Sequence, residues 1–178
     1  MTWDWLWSLF RGKPRPTPQS ETPVASELML SLHFNLADFL HSDTAIRLGI
    51  PVVADKDGPI FAALEAWCAN IGEPLYARYG DTIHINSGYR PPELNKAIGG
   101  ATDSQHCKGE AVDFTVRGVP VHEVSLWLAN SALPFDQLIW EFDAWTHCSY
   151  TTAQTARHSV LTASKVNGKT VYTQGIAV

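Results

Sequence analysis

His106, Asp113 and His147 stand in the strings Ser104-Gln-His-Cys-Lys-Gly109-Glu-Ala111-Val-Asp113 and Trp145-Thr-His-Cys-Ser149. Two imidazoles and one carboxylate form a three-ligand set that leaves a fourth position open on a zinc ion. Catalytic zinc sites have that arrangement, whereas structural ones are usually closed. Zinc held by two neutral histidines and one aspartate keeps a net charge of about +1. It can then lower the pKa of a bound water toward about 7 and polarise a carbonyl. The expected cofactor is one Zn2+ ion, and the expected chemistry is hydrolysis.

Such ligands need strands and a tight turn to bring them together. Residues 111–116 (AVDFTV) read as a strand with Val112, Phe114 and Val116 toward the core, so Asp113 is presented on the opposite face beside the small Ala111. Gly109 allows a turn between His106 and that strand. In the later strand Trp145, His147 and Ser149 share one face, and antiparallel pairing of the two strands would carry His147 to the same ion. Cys148 then points away from His147 and reads as a small buried residue rather than a fourth ligand.

The remaining elements follow from periodicity and turn chemistry. Short helices are expected around 37–41 and 44–48, the second capped by Ser42 or Asp43. Ile60–Ile71 carries the clearest helical spacing of apolar residues, and Gly72 with Pro74 should end or kink that helix. A strand at 82–87, a short helix at 93–98 ended by Gly99-Gly100, and a helix around 121–131 come next or between. Residues 137–142 and 145–151 read as a hairpin, and Asn167-Gly168 marks another between 160–166 and 169–173. Clustered antiparallel strands with helices outside them give an α+β fold.

With these motifs the chain resembles the zinc D-Ala-D-Ala carboxypeptidase and Hedgehog-type metallopeptidase family, most closely its small phage-type branch with muralytic activity. The family pattern Ser-x-His-x-x-Gly-x-Ala-x-Asp is met by Ser104, His106, Gly109, Ala111 and Asp113. Its Trp-x-His-x-Ser element is met by Trp145, His147 and Ser149, and its Ser-Gly-Tyr-Arg-x-Pro…Asn element by Ser87, Gly88, Tyr89, Arg90, Pro92 and Asn95. The resemblance spans roughly residues 32 to 173. It implies a small, mainly antiparallel sheet flanked by helices, a zinc cleft on the sheet, and hydrolysis of peptidoglycan stem-peptide bonds by a phage- or prophage-encoded D,D-carboxypeptidase or endopeptidase. The rival reading is a zinc-containing peptidoglycan-binding or virion structural protein that does not cleave.

Hydrolysis also needs a carboxylate to take the water proton and pass it to the leaving amine. Many family members carry that acid three residues before the last ligand, where this chain has Ala144. Glu141, six residues before His147, is the expected base, at a spacing found in some of the phage-type branch. A two-residue turn at Asp143-Ala144 would turn Glu141 away from His147. A three-residue loop, Phe142 to Ala144, would pair it with Trp145 on the face of His147, within reach of a zinc-bound water. The longer loop is therefore predicted, with Asp143 as the alternative base. Arg90, ending a strand at a Pro-rich turn, suits a carboxylate or a developing oxyanion, and the family uses its matching Arg that way. Arg90, Ser104, Gln105 and Trp145 are the expected substrate contacts, although Ser104 could instead serve to cap the turn.

The 178 residues suffice for one core, and the net charge of -5 gives no basic footprint for nucleic acid. Three widely spaced cysteines argue against a disulfide framework. Residues 1–26 form a Trp-rich tip (Trp3, Trp5, Trp7) on a Pro-rich linker, and 27–178 form the metallopeptidase domain with its C-terminal hairpin. The tip at 1–10 is a candidate contact with a membrane surface or a virion. No secretory signal or membrane span is recognisable. A monomer made in the cytoplasm is expected, reaching the wall after lysis or on a virion.

Overall fold

The computed structural model describes residues 28–176, so the Trp-rich tip and the Pro-rich linker, residues 1–26, lie outside the described residues. In chain order it contains α1 (Leu36–Leu40), α2 (Asp43–Leu48), α3 (Pro59–Trp67), α4 (Glu73–Tyr79), β1 (Ile83–Ser87), α5 (Pro92–Ala97), β2 (Ala111–Val116), α6 (Val121–Ala129), β3 (Gln137–Glu141), β4 (Trp145–Ser149), β5 (Ser159–Val166) and β6 (Lys169–Gln174). The strands form one sheet in the order β1-β2-β4-β3-β5-β6. This is an α+β fold with a mostly antiparallel sheet, as expected. The one parallel pairing joins β3 to β5, because residues 150–158 carry the chain back to the far side of β3.

Alternation along the strands sorts the sheet into two faces. Val112, Phe114, Val116, Leu138 and Cys148 point into a core closed by Leu64, Trp67, Ile71 and Leu75 and by Val124 and Leu128 of α6. Trp67 is fully buried within an aromatic cluster with Phe34, Phe39 and Phe114, and its indole N–H donates to the Cys148 carbonyl at 2.9 Å. That bond ties α3 to β4 from behind. Asp113, His147 and Glu141 occupy the opposite face.

Local chemistry sets the element ends. Ser42 caps α2 by accepting from the Ala45 N–H, the first of the two expected caps. The long helix does not end at Gly72. It passes through a π turn at Cys68–Gly72, in which the Glu73 N–H bonds the Cys68 carbonyl five residues back, and continues as α4. Pro74 has no N–H to give to a regular helical ladder, and the wider turn takes up the mismatch. Asn167 and Gly168 both adopt positive φ (51° and 77°), as the two-residue hairpin turn between β5 and β6 requires.

Candidate active site

The antiparallel register of β2 and β4 sets Asp113 directly opposite His147. His106 arrives from a single 3-10 turn, Gln105–Lys108, that ends on Gly109 in the left-handed region at φ 71°. A side chain on Gly109 would be strained in that conformation, and its Cβ would meet the Ile60 carbonyl at 2.9 Å. The turn then delivers the chain into β2 within a few residues. His106 Nε2 lies 3.2 Å from Asp113 Oδ1, His147 Nδ1 lies 2.8 Å from the same oxygen, and the two ring nitrogens are 3.2 Å apart. All three side chains are buried. Ligand atoms bonded to one zinc at about 2.0–2.1 Å in a tetrahedron lie about 3.3 Å apart, so this triangle has the dimensions of one face of such a site.

Protonation fits as well. The Gly88 carbonyl can only accept, so at 2.7 Å it fixes the proton of His106 on Nδ1 and leaves the Nε2 lone pair facing Asp113 and His147. Gly88 is required there: a Cβ would sit 2.6 Å from the Phe39 carbonyl, and the next residue's N–H bonds that carbonyl at 2.9 Å. Burial pushes the His106 imidazole below its ordinary value, outweighing the attraction of Asp113, and so favours the neutral ligand form. For Asp113, burial opposes ionisation, but the two imidazoles hold the carboxyl well below the usual carboxylate range.

Arg90 and Glu141 flank this group. The Arg90 N–H bonds the His106 carbonyl at 3.1 Å, its guanidinium reaches within 3.8 Å of Asp113 Oδ2, and its buried Nε has no partner among the described residues. Glu141 pairs with Trp145 across the three-residue loop Phe142–Ala144, the register expected from the sequence. Phe142 and Asp143 take positive φ (56° and 55°), and the Ala144 N–H closes the loop on the Glu141 carbonyl at 2.8 Å. Burial pushes the Glu141 carboxyl up, and the negative charge of Asp113 adds to this, against the pull of His147 and Arg90. Asp143, the alternative, accepts from the Trp140 indole at 3.2 Å and lines a different surface hollow with Lys165.

A family model described as Peptidase M15 matches residues 32–149. The chain belongs to that family. M15 peptidases are zinc-dependent, and the buried His106–Asp113–His147 group can hold a metal ion. Among curated proteins no match is found. The match ends with β4, so β5 and β6 lie beyond the M15-matched residues.

In this M15 chain all eight residues singled out from the sequence line one cleft of about 400 Å³: Arg90, Ser104, Gln105, His106, Asp113, Glu141, Trp145 and His147. Ser104 makes no side-chain cap bond in its turn, which leaves the hydroxyl to the cleft. Asn95 pins the rim by donating to the Ala101 carbonyl at 2.7 Å. A second groove, about 740 Å³, opens from Arg90, Asp113 and Trp145 toward Ser42–Thr44 and His84–Ser87, so there is room for substrate on both sides of Asp113.

Sequence reasoning missed Asp136, Arg157 and Tyr172. Asp136 is fully buried and accepts from Gln105 at 3.0 Å and from the Arg157 guanidinium and backbone. Arg157 and Tyr172 line the cleft from beyond the M15-matched residues. The available signal was Asp136 itself, a carboxylate between Phe135 and Leu138 at the start of an apolar strand, which demands a cationic partner once buried.

Proposed function

We propose that this protein is a zinc-dependent peptidase that hydrolyses stem-peptide bonds of peptidoglycan, as a D,D-carboxypeptidase or endopeptidase encoded by a phage or prophage. The observation that carries the reading is Glu141. It is a partly buried carboxylate with a raised pKa, on the same sheet face as a three-donor metal group and lining one cleft with Arg90. A binding module would not need that carboxylate. Zinc held by His106, Asp113 and His147 would supply Lewis acidity toward a peptide carbonyl and toward water.

The protein's own groups supply the rest. Glu141, as carboxylate, accepts the proton of the attacking water and then returns it to the leaving amine, which its upward-shifted pKa favours. Arg90, whose side chain lines the cleft, offers its guanidinium to the oxygen on which negative charge develops. Gly88 holds the His106 ring in the tautomer that presents Nε2. Ser104, Gln105 and Trp145 line the walls along which the peptide lies.

The test is Glu141→Gln in the zinc-loaded protein, reading zinc content together with release of new amino groups from purified sacculi. Turnover should fall by about 10²–10⁴-fold with zinc retained. Undiminished wall digestion would remove Glu141 from the mechanism, and a wild type that binds zinc and releases nothing would favour the non-cleaving reading. Mass spectrometry of the muropeptides separates carboxypeptidase from endopeptidase action.

A further inference from the structure

The cleft contains a second arginine that the reaction leaves unused. Asp136 lies at the head of the path into β3 with no exposed surface, where a lone carboxylate would be strongly destabilising. Arg157 answers it from 21 residues away: its Nε is 3.0 Å from each Asp136 oxygen, its Nη2 bonds Oδ2, and its backbone N–H reaches Oδ1 at 3.1 Å. The guanidinium is thereby fixed along its Nε–Nη2 edge, and among the described residues Asp136 is its only partner. Its side chain remains half exposed and lines the same cleft as the metal group.

Two neighbours complete this wall. Gln105 gives its Nε2 to Asp136, so its Oε1 stays without a protein partner among the described residues. Tyr172, from β6, lies close enough to Glu141 to feel its charge, and it too lines the cleft. A cation held in one plane, with one end of its fork turned to the cleft, matches the planar pair of acceptors on a carboxylate. Arg90 does not duplicate this, since it lies against Asp113.

We propose that Arg157, oriented by Asp136 and flanked by Gln105 and Tyr172, is the specificity-determining residue of the cleft and selects peptides that carry a carboxylate on that side of the scissile bond. This rests on the peptidase reading above and names what that peptidase prefers. It also gives the segment beyond the M15-matched residues a part in substrate choice.

The probes are a synthetic stem pentapeptide and analogues in which each carboxylate in turn is converted to its amide. The proteins are the zinc-loaded wild type, Arg157→Gln, and the double variant Asp136→Asn/Arg157→Gln, which avoids stranding a buried charge. One amide analogue should be cleaved by the wild type with kcat/KM lower by tenfold or more, the loss of one charge-assisted pair. That ratio should collapse to about one in both variants, with zinc content unchanged. A ratio in the variants within twofold of the wild type, or a wild type indifferent to every amide, overturns the inference and leaves the peptidase reading standing. If the zinc-loaded wild type cleaves no peptide, the peptidase reading fails. Calorimetric binding of the same peptides then decides for Arg157: a tenfold acid-over-amide preference lost in the variants supports it, and equal affinities overturn it.

Discussion

At the scale of single residues, Glu141 combines two demands that oppose each other. In the proposed reaction it must be ionised to take a proton, yet burial and the charge of Asp113 favour its protonated form. The population of competent carboxylate therefore falls at a higher pH than for an exposed glutamate. The acid limb of kcat/KM should lie above the ordinary glutamate value, and a pH profile of wild-type turnover measures it. Cys148 gives the opposite kind of prediction. It is fully buried on the core side of β4, and its thiol is pushed above the ordinary cysteine value by burial alone. Cys148→Ala should keep one zinc per chain, measured by elemental analysis, whereas His147→Ala should lose most of it. These assignments were legible because strand parity decides which way a side chain points. The Asp136–Arg157 pair was not, because it joins two irregular segments that carry no periodicity.

At the scale of elements, the site depends on two short connections. Gly88 lets the turn after β1 lie on α1 while its carbonyl holds His106. Gly88→Ala should cost about 1–3 kcal/mol of stability through overpacking and weaken zinc about 10–100-fold through loss of the outer hydrogen bond; denaturant unfolding and a competitive chelator titration separate the two effects. The Phe142–Ala144 loop fixes the register of Glu141. Replacing only Asp143-Ala144 with Asn-Gly should favour a two-residue turn that pairs Phe142 with Trp145 and Glu141 with Thr146, which turns Glu141 to the core face. Turnover should vanish while the metal group, carried by β2 and β4, still binds zinc. Loop length could be reasoned out from the sequence because only one of two turns kept Glu141 with His147. The π turn at Cys68–Gly72 could not, since the apolar spacing through Ile60–Ile71 is that of an ordinary helix.

At the scale of the molecule, an ion pair between the buried Asp136 and the half-exposed Arg157 fastens the 151–158 segment to the sheet. Asp136 is held down to about 2, chiefly by its hydrogen bonds with Arg157. Its folded value is below its unfolded one, so the stability it contributes is complete above about pH 4 and is lost as pH falls toward 2. The thermal midpoint of the wild type should exceed that of Asp136→Asn at neutral pH, and the gap should close across that interval. The sheet order shows a dependence that the linear motifs conceal. β3, which carries Glu141, has its second neighbour in β5, and the Phe142 N–H bonds the Ala163 carbonyl at 3.0 Å. Synthesis runs from the N-terminus, and a strand is secured only when its neighbours exist. The candidate metal ligands are thus all translated by His147, but the strand that presents the proposed proton acceptor gains its second neighbour only when Ala163 has left the ribosome. A nascent chain would hold its candidate ligands before its proposed base, and a stalled chain with residues up to about 150 outside the exit tunnel should bind zinc without hydrolysing peptide.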